Sequence, residues 1–289
     1  MQKLTYQNIR GQSVTFMHEP YILCKVSGLG VPNLDLTTAT GAYQQGESVL
    51  AIKREPRNVK LTLHLMATTR ARMYQLRTDL AGILSPSLSF DGTNRAKIIY
   101  ENDYGSWWTW AIPENGLDWG TRIQNVHPSV TLNFACESPY WFGERNAAVF
   151  RATQGGFKLP FSFPIILGSS VFEIRAINGG HAEATPTVIF YGSGDTPLLE
   201  NLTTGTKLAF VRPLPNGEVL TISTDPSSLS ATVKHASGAV ENAFELLDPE
   251  TSLAAFTLRA GENKLKYTSD TDSRKTEVRL EWFDCFEGV

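Results

Sequence analysis

Histidines stand at positions 18, 64, 127, 181 and 235, too scattered to share one helix face or one strand as zinc ligands do. Nowhere does the chain show a GxSxG nucleophile elbow, a glycine-rich phosphate loop ending in Lys-Ser or Lys-Thr, or an HExxH helix. Two carboxylate pairs, Asp270/Asp272 and Asp248/Glu250, have the oxygen chemistry of a calcium loop, but both lie in polar turn sequence and are read as turns. Asp225-Pro226 and Gly192-Ser193-Gly194 read the same way. Cys24, Cys136 and Cys285 are odd in number, far apart and without a CxxC pair, which argues against a disulfide framework and a zinc site and predicts reduced thiols. The assignment is therefore no catalytic residue, no cofactor and no metal, and the chain is expected not to be an enzyme.

The remaining residue types point to recognition. From Ser27 to Ser48 the chain is punctuated by Gly28, Gly30, Pro32, Gly41 and Gly46, a stretch that predicts a long loop or an extended hairpin reaching towards a neighbouring molecule. Its tip, Gly41, Tyr43, Gln44, Gln45, Gly46 and Glu47, is the first candidate subunit interface. Trp107, Trp108 and Trp110 form the second, because three tryptophans so spaced cannot all face one side of a strand. At least one should lie against something other than its own sheet's core. Near mid-chain, Pro139 should end a strand running through Thr131–Cys136, and Tyr140, Trp141 and Phe142 carry too much apolar surface for a free linker. These four residues read as an interdomain seam. Lys53, Arg54, Arg57 and Lys60 form a local basic cluster, expected to be the solvated edge of a strand.

Around these candidates the patterning is mostly that of strands. Val59, Leu61, Leu63 and Leu65 alternate with polar residues, predicting a half-buried strand with His64 on its wet face. One helix is expected, from an N-cap at Thr68 or Thr69 to Leu84, with Met73, Leu76, Leu80, Ile83 and Leu84 on one stripe and Ser85-Pro86 as its stop. Strands are expected near Leu88–Phe90, at Ala96–Tyr100 and Ser106–Ile112, and from Val126 to Phe134. Beyond the seam, Glu144–Leu167 combines Gly155, Gly156, Pro160 and Pro164 with phenylalanines and reads as a segment pinned along a surface. From Val171 short strands recur, including Phe256–Leu258, Lys264–Thr268 and Thr276–Phe283, with turns at Pro215–Gly217 and Gly261–Asn263, as in a β-sandwich.

The chain has 289 residues, which fits two domains. Residues 1–143 hold 13 Lys/Arg against 11 Asp/Glu and the remainder 13 against 18, so the halves carry +2 and −5. Neither has the basic stripe of a stable nucleic-acid binder. No basic-apolar leader and no apolar run long enough for a membrane span is visible, so no membrane partner is expected, and Asn201-Leu202-Thr203 is read as a chance sequon.

A series of features spanning nearly the whole chain in order resembles the distal tail (Dit) family of siphophage tails. It comprises Tyr43–Gly46, the strand-helix unit Val59–Leu84, Ser138–Gly143, Gly155–Pro164, Thr185–Gly192, Asn201–Gly205 with Gly217–Ile222, Leu258–Asn263, and the last strand ending in Trp282. The resemblance implies a mainly β protein. Residues 1–143 would be a ring-forming β-sandwich or split-barrel-like domain with one α-helix, 144–170 a crossing linker, and 171–289 a galectin-like β-sandwich. It also implies a hexameric ring at the virion tail tip, or baseplate, assembled in the cytoplasm of the bacterial host. Its partners would be the tail tube protein, a tail-associated hub, lysin or fibre protein, and a receptor-binding protein at the periphery, with DNA passing through the ring unbound. The alternative from another class is a carbohydrate-binding module, in which an aromatic platform on the second half holds host-wall glycans.

Overall fold

The computed structural model describes residues 2–86, 96–119, 127–151, 172–192, 196–268 and 277–289. In chain order, β1 (Lys3–Gln7), β2 (Ser13–Phe16) and β3 (Tyr21–Ser27) lead to β4 (Leu34–Ala39) and β5 (Ser48–Arg54). Next come β6 (Arg57–Leu65), α1 (Arg70–Leu84), β7 (Lys97–Glu101), β8 (Ser106–Pro113), β9 (Ser129–Cys136) and β10 (Trp141–Arg151). The second half holds β11 (Phe172–Asn178), β12 (Thr187–Tyr191), β13 (Leu198–Asn201), β14 (Thr206–Ala209), β15 (Val219–Ser223), β16 (Ser230–Lys234), β17 (Val240–Asn242), β18 (Gly261–Thr268) and β19 (Glu277–Phe286). The chain gathers into two compact units, Met1–Gly143 with Phe286–Val289, and Glu144–Cys285.

In the first unit, β2, β1, β7 and β8 pair antiparallel in that order, and β3, β6 and β9 form a second antiparallel set. Strand β8 belongs to both, pairing β7 along its first half and β9 through Ala111–Pro113. This shared strand gives the unit its split-barrel character. The alternation along β6 buries Val59, Leu61, Leu63 and Leu65, which meet Leu4, Tyr6 and Phe134 in one core. Tyr6 and Phe134 lie 5.2 Å apart, and burial pushes the Tyr6 phenol up to about 12. Helix α1 covers this core with Met73, Leu76, Leu80 and Leu84, and Ile83 is partly buried beside them. The Thr69 hydroxyl accepts from Arg72 N at 3.2 Å, the expected cap. Tyr21 donates to Leu76 O at 2.8 Å and so ties β3 to the middle of the helix.

In the second unit the order β17-β16-β15-β12-β19 continues to β10, facing a sheet ordered β11-β18-β13-β14. Phe190 of the first sheet and Tyr267 of the second lie 6.2 Å apart in the sandwich interior. Three buried asparagines stitch the loop before β18. Asn178 donates to Ala182 O and Leu258 O, Asn201 to Thr257 O, and Asn263 to Arg259 O and Gly261 O. A side-chain amide can replace the ladder where a buried loop offers its own carbonyls.

Several sequence expectations change here. Gly261–Asn263 is not a turn but the start of β18; its asparagine looked like turn chemistry because it hydrogen-bonds the loop from inside. Phe256–Leu258 is not a strand: a single 3-10 turn, Leu253–Ala255, precedes Phe256, and only Leu258 bridges, to Ala184. Glu144–Arg151 continues β10 rather than opening a linker, and residues 286–289, expected with the second half, pack into the first unit. The strand near Leu88–Phe90, the start of the Val126 strand, the Gly155–Pro164 segment and Asp270/Asp272 lie outside the described residues.

Candidate functional site

Strands β4 and β5 form a two-stranded sheet of their own, separate from the sheets of both units' cores. Leu34 pairs Arg54, Leu36 pairs Ile52 and Ala39 pairs Ser48, with a register shift beyond Thr37 that leaves Leu50 as the extra residue. Period two therefore puts Leu34, Leu36, Leu50 and Ile52 on one face of the ribbon and Asp35, Thr37, Ala51 and Lys53 on the other. All four aliphatic side chains are exposed, Leu50 to 66% and Ile52 to 60%. A lone two-stranded ribbon is marginal in water, and one that presents an apolar face is unfinished until that face is covered. Covering the four would contribute about 1.5–3 kcal/mol for each side chain.

The predicted tip residues Gly41, Tyr43, Gln44, Gln45, Gly46 and Glu47 all lie at the end of this arm, and all are exposed. Gln44 orders the tip: its N–H donates to Gly41 O at 3.0 Å, its Oε1 accepts from Gly41 N at 3.1 Å, and its Nε2 donates to Ser48 Oγ at 2.8 Å. Tyr43, fully exposed, projects from that fixed turn. The apolar stripe on the arm's sides was missed by sequence, although the alternation Leu34-Asp35-Leu36 and the run Leu50-Ala51-Ile52 were its signal.

At the arm's root Glu55 N donates to Asn33 O at 2.9 Å, closing the ribbon. Gly28 has φ +90° and a side chain there would meet Asn58 O at 2.0 Å, so only glycine lets the chain pass. Arg57 sits at the same place, and it corrects the expectation of a solvated basic edge: only 3% exposed, it points into the first unit. Its guanidinium donates to Gly28 O, Gly30 O, Pro139 O and Glu287 O, and lies 5.4 Å from the Trp141 ring. Burial draws its pKa below the ordinary arginine value. Arg54 ends β5 and pairs with Glu287, whose hydrogen bond raises the Arg54 pKa.

The tryptophans divide between the faces of β8 as alternation requires. Trp107 is buried against Tyr100, Tyr104 and Phe286. Trp108 and Trp110, half-buried on the opposite face, meet edge-to-face at 4.9 Å, with Phe142 at 5.0 Å from Trp108 and Lys97 over its ring. They belong to a different sheet from the arm. Of the seam residues, Trp141 is fully buried in the first unit's core, Pro139 lends its carbonyl to Arg57, and Tyr140 lies beside Arg54.

Among the described residues no three His, Cys, Asp or Glu side chains gather as metal ligands would, and no helix is long and apolar enough to cross a membrane. Asp248 accepts from Glu250 N while Glu250 pairs with Lys207, which is turn and surface chemistry. Phe190, Phe256 and Trp282 are buried in the sandwich and offer no glycan platform. Asn201, the sequon residue, is buried as well.

No protein-family model and no curated protein matches the sequence. Solved structures do match in fold. The SPP1 Dit (gp 19.1) protein, described as a paradigm of the hub adsorption apparatus of phages infecting Gram-positive bacteria, aligns with a TM-score of 0.64 at 14% identity, over 98% of this chain and 99% of its own. Chains of the phage P2 baseplate in its activated conformation, solved with Ca and with Sr, each align with a TM-score of 0.53 at 11% and 12% identity. They cover 97% of this chain and 98% of theirs. Over essentially its whole length, then, this chain has the fold of a Dit-type distal tail protein.

Proposed function

We propose that the protein is a phage tail hub component, a distal tail protein that assembles through its β4–β5 arm into a ring at the tail tip and acts by assembly rather than by catalysis. The observation that carries this is the arm: a ribbon with an ordered tip and an apolar face turned to solvent, on a chain whose fold matches SPP1 Dit from end to end. On this reading the arm docks on an unlike surface of the next copy, and heterologous contacts close into a ring when the rotation between successive copies divides the circle. Following the family resemblance, the ring has six copies. It joins the tail tube protein to a hub, lysin or fibre protein, presents the second unit to a receptor-binding protein, and passes DNA without holding it. Its place is the virion tail tip, after assembly in the host cytoplasm.

Excision of Gly41–Gly46 with a two-residue closure tests the reading by sedimentation velocity. The expected result is a chain with the circular dichroism of the parent that no longer self-associates. Unchanged association after excision would overturn the arm's role.

A further inference from the structure

We infer that residues 286–289 form a clasp that fixes the root of the arm, with Arg57 as the positioning residue at its centre; this rests on reading β4–β5 as the assembly arm. One contact anchors the segment in the first unit's core and three bring it to the root. Phe286 packs edge-on against Trp107 at 6.1 Å, and Glu287 pairs with Arg54, the last residue of β5. Gly288 lies so close to Gly30 that a side chain on it would come within 3.0 Å of the Gly30 carbonyl carbon. Val289 N donates to Leu29 O at 3.0 Å. The segment thus touches both limbs of the arm, the one entering β4 and the one leaving β5.

Arg57 explains why these pieces must come together. Its Nη1 donates to Gly28 O at 2.5 Å and Gly30 O at 2.6 Å, and its Nη2 to Pro139 O at 2.8 Å and Glu287 O at 2.6 Å. All four of these acceptors are backbone carbonyls, drawn from the arm's entry, the turn before β10 and the clasp. A guanidinium stays charged and cannot neutralise itself as a buried lysine can, so each missing acceptor leaves an unsatisfied donor beside a buried charge. Lysine offers three donors on a point charge instead of five spread over a planar fork, and so leaves at least one of the four carbonyls without its donor. Arg57 and Glu287 lie 230 residues apart, so the arm's root is complete only when a segment translated far later has docked. The clasp would thereby delay a properly aimed arm until the second unit's last strand exists.

The test uses the full chain and three variants, G288V, R57K and E287A, with hydrogen exchange read by mass spectrometry. G288V and R57K are expected to speed exchange of the amides of residues 28–33 by about tenfold while β12 and β15 keep parental rates, and E287A by a smaller factor in the same segment. Self-association should shift to about tenfold higher concentration in G288V and R57K. Parental exchange at 28–33 in G288V would overturn the clasp. Faster exchange with unchanged association would overturn its role in positioning the arm. Should G288V lose the first unit's fold, E287A decides by the same readout, parental exchange overturning the proposal. If the parent chain itself never associates, the ring reading fails while the exchange result still judges the clasp.

Discussion

Both ring nitrogens of His235 face carboxylates, Nδ1 to Glu218 at 2.7 Å and Nε2 to Glu241 at 3.2 Å, and Arg212 lies against the same two acids at 3.2 and 3.3 Å. A neutral imidazole has one N–H and leaves one of these contacts as lone pair against lone pair; only the imidazolium satisfies both. The hydrogen bonds to Glu218 and then Glu241 hold the His235 pKa above its ordinary value. A pKa raised in the folded state adds stability that is fully present below the unfolded value of about 6.5 and is lost as pH rises through the folded one. Resistance of the second unit to urea should therefore fall between about pH 6.5 and the higher folded value in the parent, and that slope should disappear in H235Q. A parental midpoint flat across this window would contradict the pairing. Thiol chemistry gives a second check. Cys24 is exposed, whereas burial pushes Cys136 and Cys285 up to about 12, so one thiol should react with iodoacetamide at about pH 8 before unfolding and three after. Arg57 was not legible at this scale: its neighbours Lys53 and Lys60 are exposed, and nothing in an alternating basic stretch distinguishes the one arginine whose acceptors come from distant loops.

At the scale of elements, helix α1 was read almost to the residue because its cap, its stripe and its Ser85-Pro86 stop agree with one another, and local agreement survives folding. Leu80→Ala should cost about 3 kcal/mol through the cavity it leaves, and Thr69→Ala about 1 kcal/mol through the lost cap. Denaturant titration should rank them in that order, and the reverse ranking would refute the packing described. The strands that alternate, β6, β8 and β19, were legible for the same reason. Those that were not share a cause. Arm strands β4 and β5 are exposed on both faces in the lone chain, and their alternations, Leu34-Asp35-Leu36 and Leu50-Ala51-Ile52, are only three residues long, so the glycine-punctuated sequence around them reads equally as loop or hairpin. Strand β10 begins behind Pro139 and carries small residues, Ala147 and Ala148, where a strand pattern would show branched ones.

For the molecule as a whole, the ordered series of weak motifs pointed to the fold that the solved structures share, and several of them have physical reasons. Asn201 and Asn263 are buried stitches, Gly217 turns with φ +88°, and Trp141 anchors a core. The return of residues 286–289 to the first unit left no sequence trace, because a segment of four residues, held by one ring contact, one ion pair and two hydrogen bonds through its backbone, is too short to show a pattern. The central claim is that the arm's apolar face joins copies of this chain. Light scattering of the full chain across a concentration series measures it most directly, set beside L36D/I52K, which puts two charges into the middle of that face while touching no core residue. The account predicts a parent that approaches about six chains and a variant that stays monomeric with an unchanged thermal midpoint. A parent that remains monomeric throughout, or a variant that assembles as the parent does, would contradict it.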